Sequence, residues 1–142
     1  MKQAILQGRS ICKIFSQGSE ENLVLDHVDI DIYNGDFTII MGSSGAGKST
    51  LLYALSGMDH ITGGKVIYKG EEISHYTENQ MARLRAREFG FVFQQTHLVS
   101  NLTLYENVAV AGYVSDGEKK KDISAKAKEL LQQMDVGHAK HR

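Results

Sequence analysis

Residues Gly42-Ser43-Ser44-Gly45-Ala46-Gly47-Lys48-Ser49 match the pattern G-x-x-x-x-G-K-[ST] at every fixed position. Such a loop works only between a strand that ends at its first glycine and a helix that starts at its last, so it fixes the local fold. Both neighbours are legible. Phe37 to Met41 is a short apolar run of the kind that forms a strand buried on both faces of a parallel sheet. After the loop, Leu51, Leu52, Ala54 and Leu55 read as a helix that stops near Gly57. The glycines let the backbone curl around phosphate without a side-chain clash, and successive N–H groups at a helix N-terminus make a positively polarised cradle. Within Gly42, Ser43, Ser44, Gly45, Ala46, Gly47, Lys48, Ser49 and Thr50, Lys48 supplies a full charge for the β- and γ-phosphates. The Ser49 hydroxyl can complete a Mg²⁺ shell, and Thr50 offers one further donor. With glycine near 7% of residues, a chance match in a chain this long has a probability of roughly half a percent.

The rest of the chain supplies the surroundings. Val28 to Ile32 alternate apolar and acidic, as in a strand with one wet face, and Asn34-Gly35 predicts a tight hairpin turn. Lys65 to Tyr68 with Lys69-Gly70 predicts a further small antiparallel piece, followed by a charged helix around Glu78 to Arg87. Phe89 to Phe93 is a second buried-strand candidate. From Thr103 the pattern is helical, with Ile123, Ala127, Leu130, Leu131 and Met134 on one stripe. The expected division is a nucleotide-binding core over residues 1–95 and the beginning of a helical subdomain over 96–142.

The 16 basic and 17 acidic residues nearly cancel, which argues against a strongly basic nucleic-acid binder. Cys12 is the single cysteine, so it forms no internal disulfide, and no apolar run reaches the ~20 residues of a membrane-spanning helix. A cytoplasmic protein is expected. Asp29 and Asp31 share a strand face and read as a solvated pair, while His138 and His141 lack a third ligand for a metal. Lys119-Lys120-Lys121 reads as the wet start of a helix.

A P-loop does not by itself choose between families. The chain has no Asn-Lys-x-Asp and no Asp-x-x-Gly, which argues against a GTPase. Gly90-Phe91-Val92-Phe93-Gln94-Gln95, with Leu98, Leu102-Thr103 and Glu106-Asn107-Val108, resembles the Q-loop and following helices of the ATP-binding-cassette family. The resemblance implies an α/β P-loop NTPase with an antiparallel β subdomain, a parallel-sheet core and the start of a helical subdomain. It further implies that Gln94 contacts Mg²⁺ or the attacking water, with Lys48 the other catalytic residue, and that Phe15 stacks on the adenine of ATP. The implied partners are a membrane permease subunit and a second ATP-binding subunit in a sandwich dimer, with no nucleic acid. That places the protein peripherally on the inner face of the cell membrane. Phe-Gln-Gln followed by Leu-Thr and Glu-Asn-Val is similar to the subgroup that exports lipoproteins, macrolides or antimicrobial peptides, or acts in cell division.

The same family carries a Leu-Ser-Gly-Gly-Gln signature and a Walker B strand ending in Asp-Glu, and neither occurs in these residues. Leu55-Ser56-Gly57 falls inside the helix after the P-loop, and Leu23-Val24-Leu25-Asp26 precedes the P-loop and is followed by His27. The segment is therefore expected to be the front part of a longer domain, able to bind ATP but not to turn it over. The rivals are a non-catalytic nucleotide-binding fragment and a soluble cassette ATPase acting on nucleic acid or ribosomes.

Overall fold

The computed structural model describes residues 3–114 and 120–139. Chain contacts divide it into two compact units, Met1–Met81 and Ala82–Arg142, so the expected boundary at 95/96 lies within the second.

The first unit is built on a long antiparallel ribbon of β1 (Ala4–Gln17) and β2 (Glu20–Tyr33). β3 (Gly63–Tyr68) pairs with the other edge of β1, and β4 (Glu71–Glu72) pairs with β3, giving the order β2-β1-β3-β4. The turn between β3 and β4 is the one its residues predict. Lys69 and Gly70 both take positive φ, 49° and 85°, as a two-residue turn between twisted strands demands.

The β1–β2 ladder shifts register at four places, of which the middle two, a first and a second bulge, lie on either side of the core residue Ile11. Between the pairs Gly8↔Ile30 and Ile11↔Val28, Arg9 and Ser10 oppose Asp29 alone; between Ile11↔Val28 and Lys13↔Leu25, Cys12 alone opposes Asp26 and His27. An extra residue on one strand leaves backbone groups unpaired and re-aims side chains. Asp29 answers the first bulge, since its Oδ1 accepts the Ser10 N–H at 2.6 Å.

α1 (Lys48–Leu55) packs on this ribbon through Leu51, Ala54 and Leu55, which lie in one core with Ile11, Leu25 and Val66. Ile11 and Leu55 are fully buried, and side chains of this size contribute about 1.5–3 kcal/mol each on leaving water. α1 ends where expected. Gly57 takes φ 63°, its N–H reaches Ala54 O and the Met58 N–H reaches Tyr53 O, the paired bonds of a Schellman stop.

The apolar run Phe37 to Met41 departs from expectation. It joins no ladder among the described residues, and Phe37 and Met41 are 91% and 85% exposed. Asn34-Gly35 closes a turn back onto the ribbon, with the Asn34 N–H on Gln3 O, and forms no hairpin with the run that follows. A strand of a parallel core needs partners along its edges and cover on both faces. The four strands described here spend their ladders on one another, so the expected parallel core is not formed among the described residues. Phe89 to Phe93 likewise joins no ladder among the described residues, and Val92 is fully exposed.

In the second unit, α2 (Glu78–Glu88), which begins in the first, leads through an exposed loop to α3 (Leu104–Val114) and α4 (Lys120–Gln133), with a short 3₁₀ turn at Gly137–Ala139. Ala109, Ile123 and Ala127 make the core of the α3–α4 pair, with Tyr105 and Val108 against it. The buried stripe on α4 is Ile123, Ala127 and Leu131, narrower than predicted, because Leu130 and Met134 are exposed. Each of α2 and α3 opens on a capping box. Thr77 N–H donates to Gln80 Oε1 at 2.9 Å, and Thr103 N–H donates to Glu106 Oε2 at 2.8 Å. His141 and Lys119 lie outside the described residues, so the His138–His141 spacing and the lysine run have no structural counterpart to compare.

Candidate functional site

The P-loop residues occupy the turn that enters α1. Ser43 O accepts the Ala46 N–H at 3.2 Å, which closes the loop on itself. Gly45 and Gly47 take φ of 81° and 79°, left-handed conformations that a side chain would strain. Gly47 is the N-cap of α1, and a Cβ there would lie 3.1 Å from Val24 O and 3.2 Å from the Leu25 side chain. Glycine thus seats the helix start directly against β2.

The helix start carries no side-chain cap and no acidic residue in its first turn. The N–H groups of Lys48, Ser49 and Thr50 have no partner within the helix, so they and the helix dipole face outward together. Ser49 is exposed and Thr50 half-buried. Lys48 bends back over the loop, its Nζ donating to Gly42 O at 2.9 Å and to Ser43 O at 2.6 Å. One cation and a set of outward N–H groups therefore converge on one side of a loop that Gly42 to Ala46 leave open to solvent. Chemically this arrangement suits an anion with several oxygens.

Phe15 stands near the end of β1, 45% exposed, with Lys13 Nζ 4.8 Å from its ring centroid. Lys13 is itself buried, held by Asp59 Oδ1 at 2.7 Å and His60 O at 2.6 Å. Its ladder partner is Leu25, the residue that walls Gly47, so β1 carries Phe15 past the strand position beside the loop. The cation on one ring face was not legible in the sequence.

Gln94 belongs to the second unit, exposed in a bend of the loop between α2 and α3. Phe91 and Phe93 stack beside it at 5.8 Å, and Phe93 meets His97 edge-on at 5.0 Å. Asn107, on α3, fixes the later part of this loop: its Oδ1 accepts the Val99 N–H at 2.8 Å, and its Nδ2 donates to Leu102 O and Thr103 O at 3.1 and 3.0 Å. In the sequence, Glu106-Asn107 stands out only through the family resemblance, and the Thr103-x-x-Glu106 spacing is the physical signal for the helix start.

Asp29 and Asp31 do not act as a pair. Asp31 Oδ1 accepts from Gln7 Nε2 at 2.8 Å and from Arg9 Nη2 at 2.6 Å, and these bonds, Gln7 first, hold its carboxyl below the ordinary aspartate range. A depressed folded-state value stabilises the fold above the unfolded-state pKa and is lost as pH falls through the lower folded-state value. A carboxyl-detected NMR titration should show Asp31 protonating below a free aspartate, with Gln7→Met moving its midpoint upward. A midpoint unmoved by that substitution would remove the hydrogen bond as cause.

Among the described residues, no helix is long and apolar enough to cross a membrane. Residues 25–142 match the family described as ABC transporter. The chain is 37% identical over 139 residues to the lipoprotein-releasing system ATP-binding protein LolD of Alcanivorax borkumensis, covering 97% of this chain and 60% of that protein. It is 36% identical over 137 residues to LolD of Shewanella frigidimarina, covering 96% and 57%. The fold matches the dimeric, post-hydrolysis state of the ATP-binding cassette MJ0796 bound to ADP and Pi, with a TM-score of 0.86 and 29% identity over 96% of this chain and 61% of that one. The chain thus spans about 60% of the length of the curated relatives it matches.

Proposed function

The chain belongs to the ABC transporter family, and we propose that it binds MgATP at Gly42–Thr50 as the nucleotide-holding part of an ATPase subunit that powers transport through a membrane permease. The observation that carries this reading is Lys48 Nζ lying on Gly42 O and Ser43 O beside the uncapped start of α1. Phosphate oxygens are stronger acceptors for an ammonium than carbonyls, so a nucleotide would draw Lys48 off the loop and onto its β- and γ-phosphates. The backbone N–H groups of the loop and first turn bind and orient the chain of phosphates, and Thr50 adds a donor. Phe15 offers a half-exposed ring for stacking on adenine.

Ser49 brings a hard oxygen donor of the type Mg²⁺ takes, and the bound ion would neutralise phosphate charge. Gln94 can orient a water, because its amide both donates and accepts. Hydrolysis is proposed for the complete cassette, working as a sandwich dimer with a second ATP-binding subunit on the cytoplasmic face of the permease. The relatives' names make lipoprotein release the transport reaction to test first.

Equilibrium binding of ATP, ADP and AMP in excess Mg²⁺ tests the central claim. Affinity should tighten with each added phosphate, since each brings new charge-assisted bonds to Lys48 and the loop. Equal affinity for all three would mean that the phosphates are not what the loop holds.

A further inference from the structure

The second bulge of the β1–β2 ribbon brings together three side chains that the nucleotide reading does not use. Because Cys12 alone opposes Asp26 and His27, donor atoms of all three residues come within 4.8 Å of one another. His27 Nδ1 lies 2.6 Å from Asp26 Oδ1, and the backbone N–H of His27 points at Cys12 Sγ at 3.4 Å. The Cys12 thiol in turn donates toward Ser10 O at 3.6 Å.

We propose that Cys12, Asp26 and His27 form a site for a divalent transition-metal cation of the zinc class, with solvent in a fourth position. A thiolate, an imidazole and a carboxylate suit a borderline-soft ion and do not suit Mg²⁺, so this site is chemically distinct from the one proposed at Ser49. Metal–ligand bonds of about 2.0–2.3 Å in a tetrahedron set donors roughly 3.4–3.6 Å apart. Small side-chain rotations bring the trio to that spacing: His27 and Asp26 open slightly and Cys12 closes.

The scaffold is prepared for this. Cys12 sits on β1, an inner strand of the sheet, its carbonyl held by the Thr62 N–H at 2.8 Å, so the thiol starts from a fixed backbone. Asp26 and His27 are exposed, which leaves an entry path. On binding, the Cys12 thiol proton passes to solvent, its sulfur becomes a metal ligand, and the backbone N–H of His27 faces a thiolate.

Cobalt(II) added to the reduced full chain supplies the test, because a sulfur-to-cobalt charge-transfer band can arise only from Cys12, the single cysteine. The expected result is a band that saturates at one cobalt per chain, disappears in Cys12→Ser and is displaced by Zn²⁺. Asp26→Asn and His27→Asn should each weaken binding by at least about tenfold. Asparagine is chosen at position 27 because it tolerates the positive φ of 47° found there. The proposal is overturned by the absence of the band at saturating cobalt, by one cobalt per two chains, or by affinity unchanged in both Asn variants. None of these outcomes bears on nucleotide binding.

Discussion

Lys48→Ala is expected to weaken MgATP binding by at least about a hundredfold while leaving the fold intact. A hydrogen bond to a charged group contributes about 1.5–3 kcal/mol, and Lys48 is proposed to make such bonds to two phosphates. At about 1.4 kcal/mol per factor of ten, their combined loss of about 3 kcal/mol or more exceeds a hundredfold. The folded state loses much less. Lys48 is only half-buried, and its partners Gly42 O and Ser43 O lie in an exposed loop where water can replace the ammonium. Calorimetric titration alongside thermal melting separates the two effects. Binding that survives the substitution would remove Gly42–Thr50 as the phosphate site, and a collapse of the melting transition would make Lys48 a structural residue.

What could be read from the sequence followed how local each feature is. The P-loop, the Gly57 helix stop and the Lys69-Gly70 turn depend on a few successive residues whose backbone needs are written in their side chains. The capping boxes at Thr77 and Thr103 are equally local, since a Thr followed three residues later by Gln or Glu announces them. The two bulges could not be read, because a bulge is a property of a pair of strands: nothing in Asp26-His27 states that Cys12 will stand opposite.

Phe37 to Met41 shows the remaining gap. Its composition expresses the tendency of a buried strand, yet tendency supplies no partner, and within the described residues the run forms no strand and stays exposed. Gln94 is the same kind of case at the site. Its identity came from resemblance, whereas its geometry depends on a loop anchored by Asn107 and on a unit separate from the one that carries the P-loop.

Gly64 gives the largest expected effect on stability, and nothing in its sequence neighbourhood announces it. It stands at the start of β3 opposite the first bulge of β1, with φ 88°. A Cβ built there would lie 2.5 Å from Arg9 O and closer still to Ser10 O, both backbone atoms that no rotamer change can move. Gly64→Ala therefore combines a left-handed penalty of about 1–2 kcal/mol with a displacement of β1 or β3. The total should exceed about 3 kcal/mol, a large share of the 5–15 kcal/mol typical of a whole domain. For a unit of this size that lowers Tm by more than about 10 °C. Gly70→Ala is the matched control: its φ is 85°, but a Cβ there meets nothing within 4 Å, so it carries the conformational penalty alone. Thermal melting of the two variants isolates the close approach. A much larger loss for Gly64→Ala means that β3 is pressed against the Arg9–Ser10 bulge, and equal losses would show that the ribbon has room there.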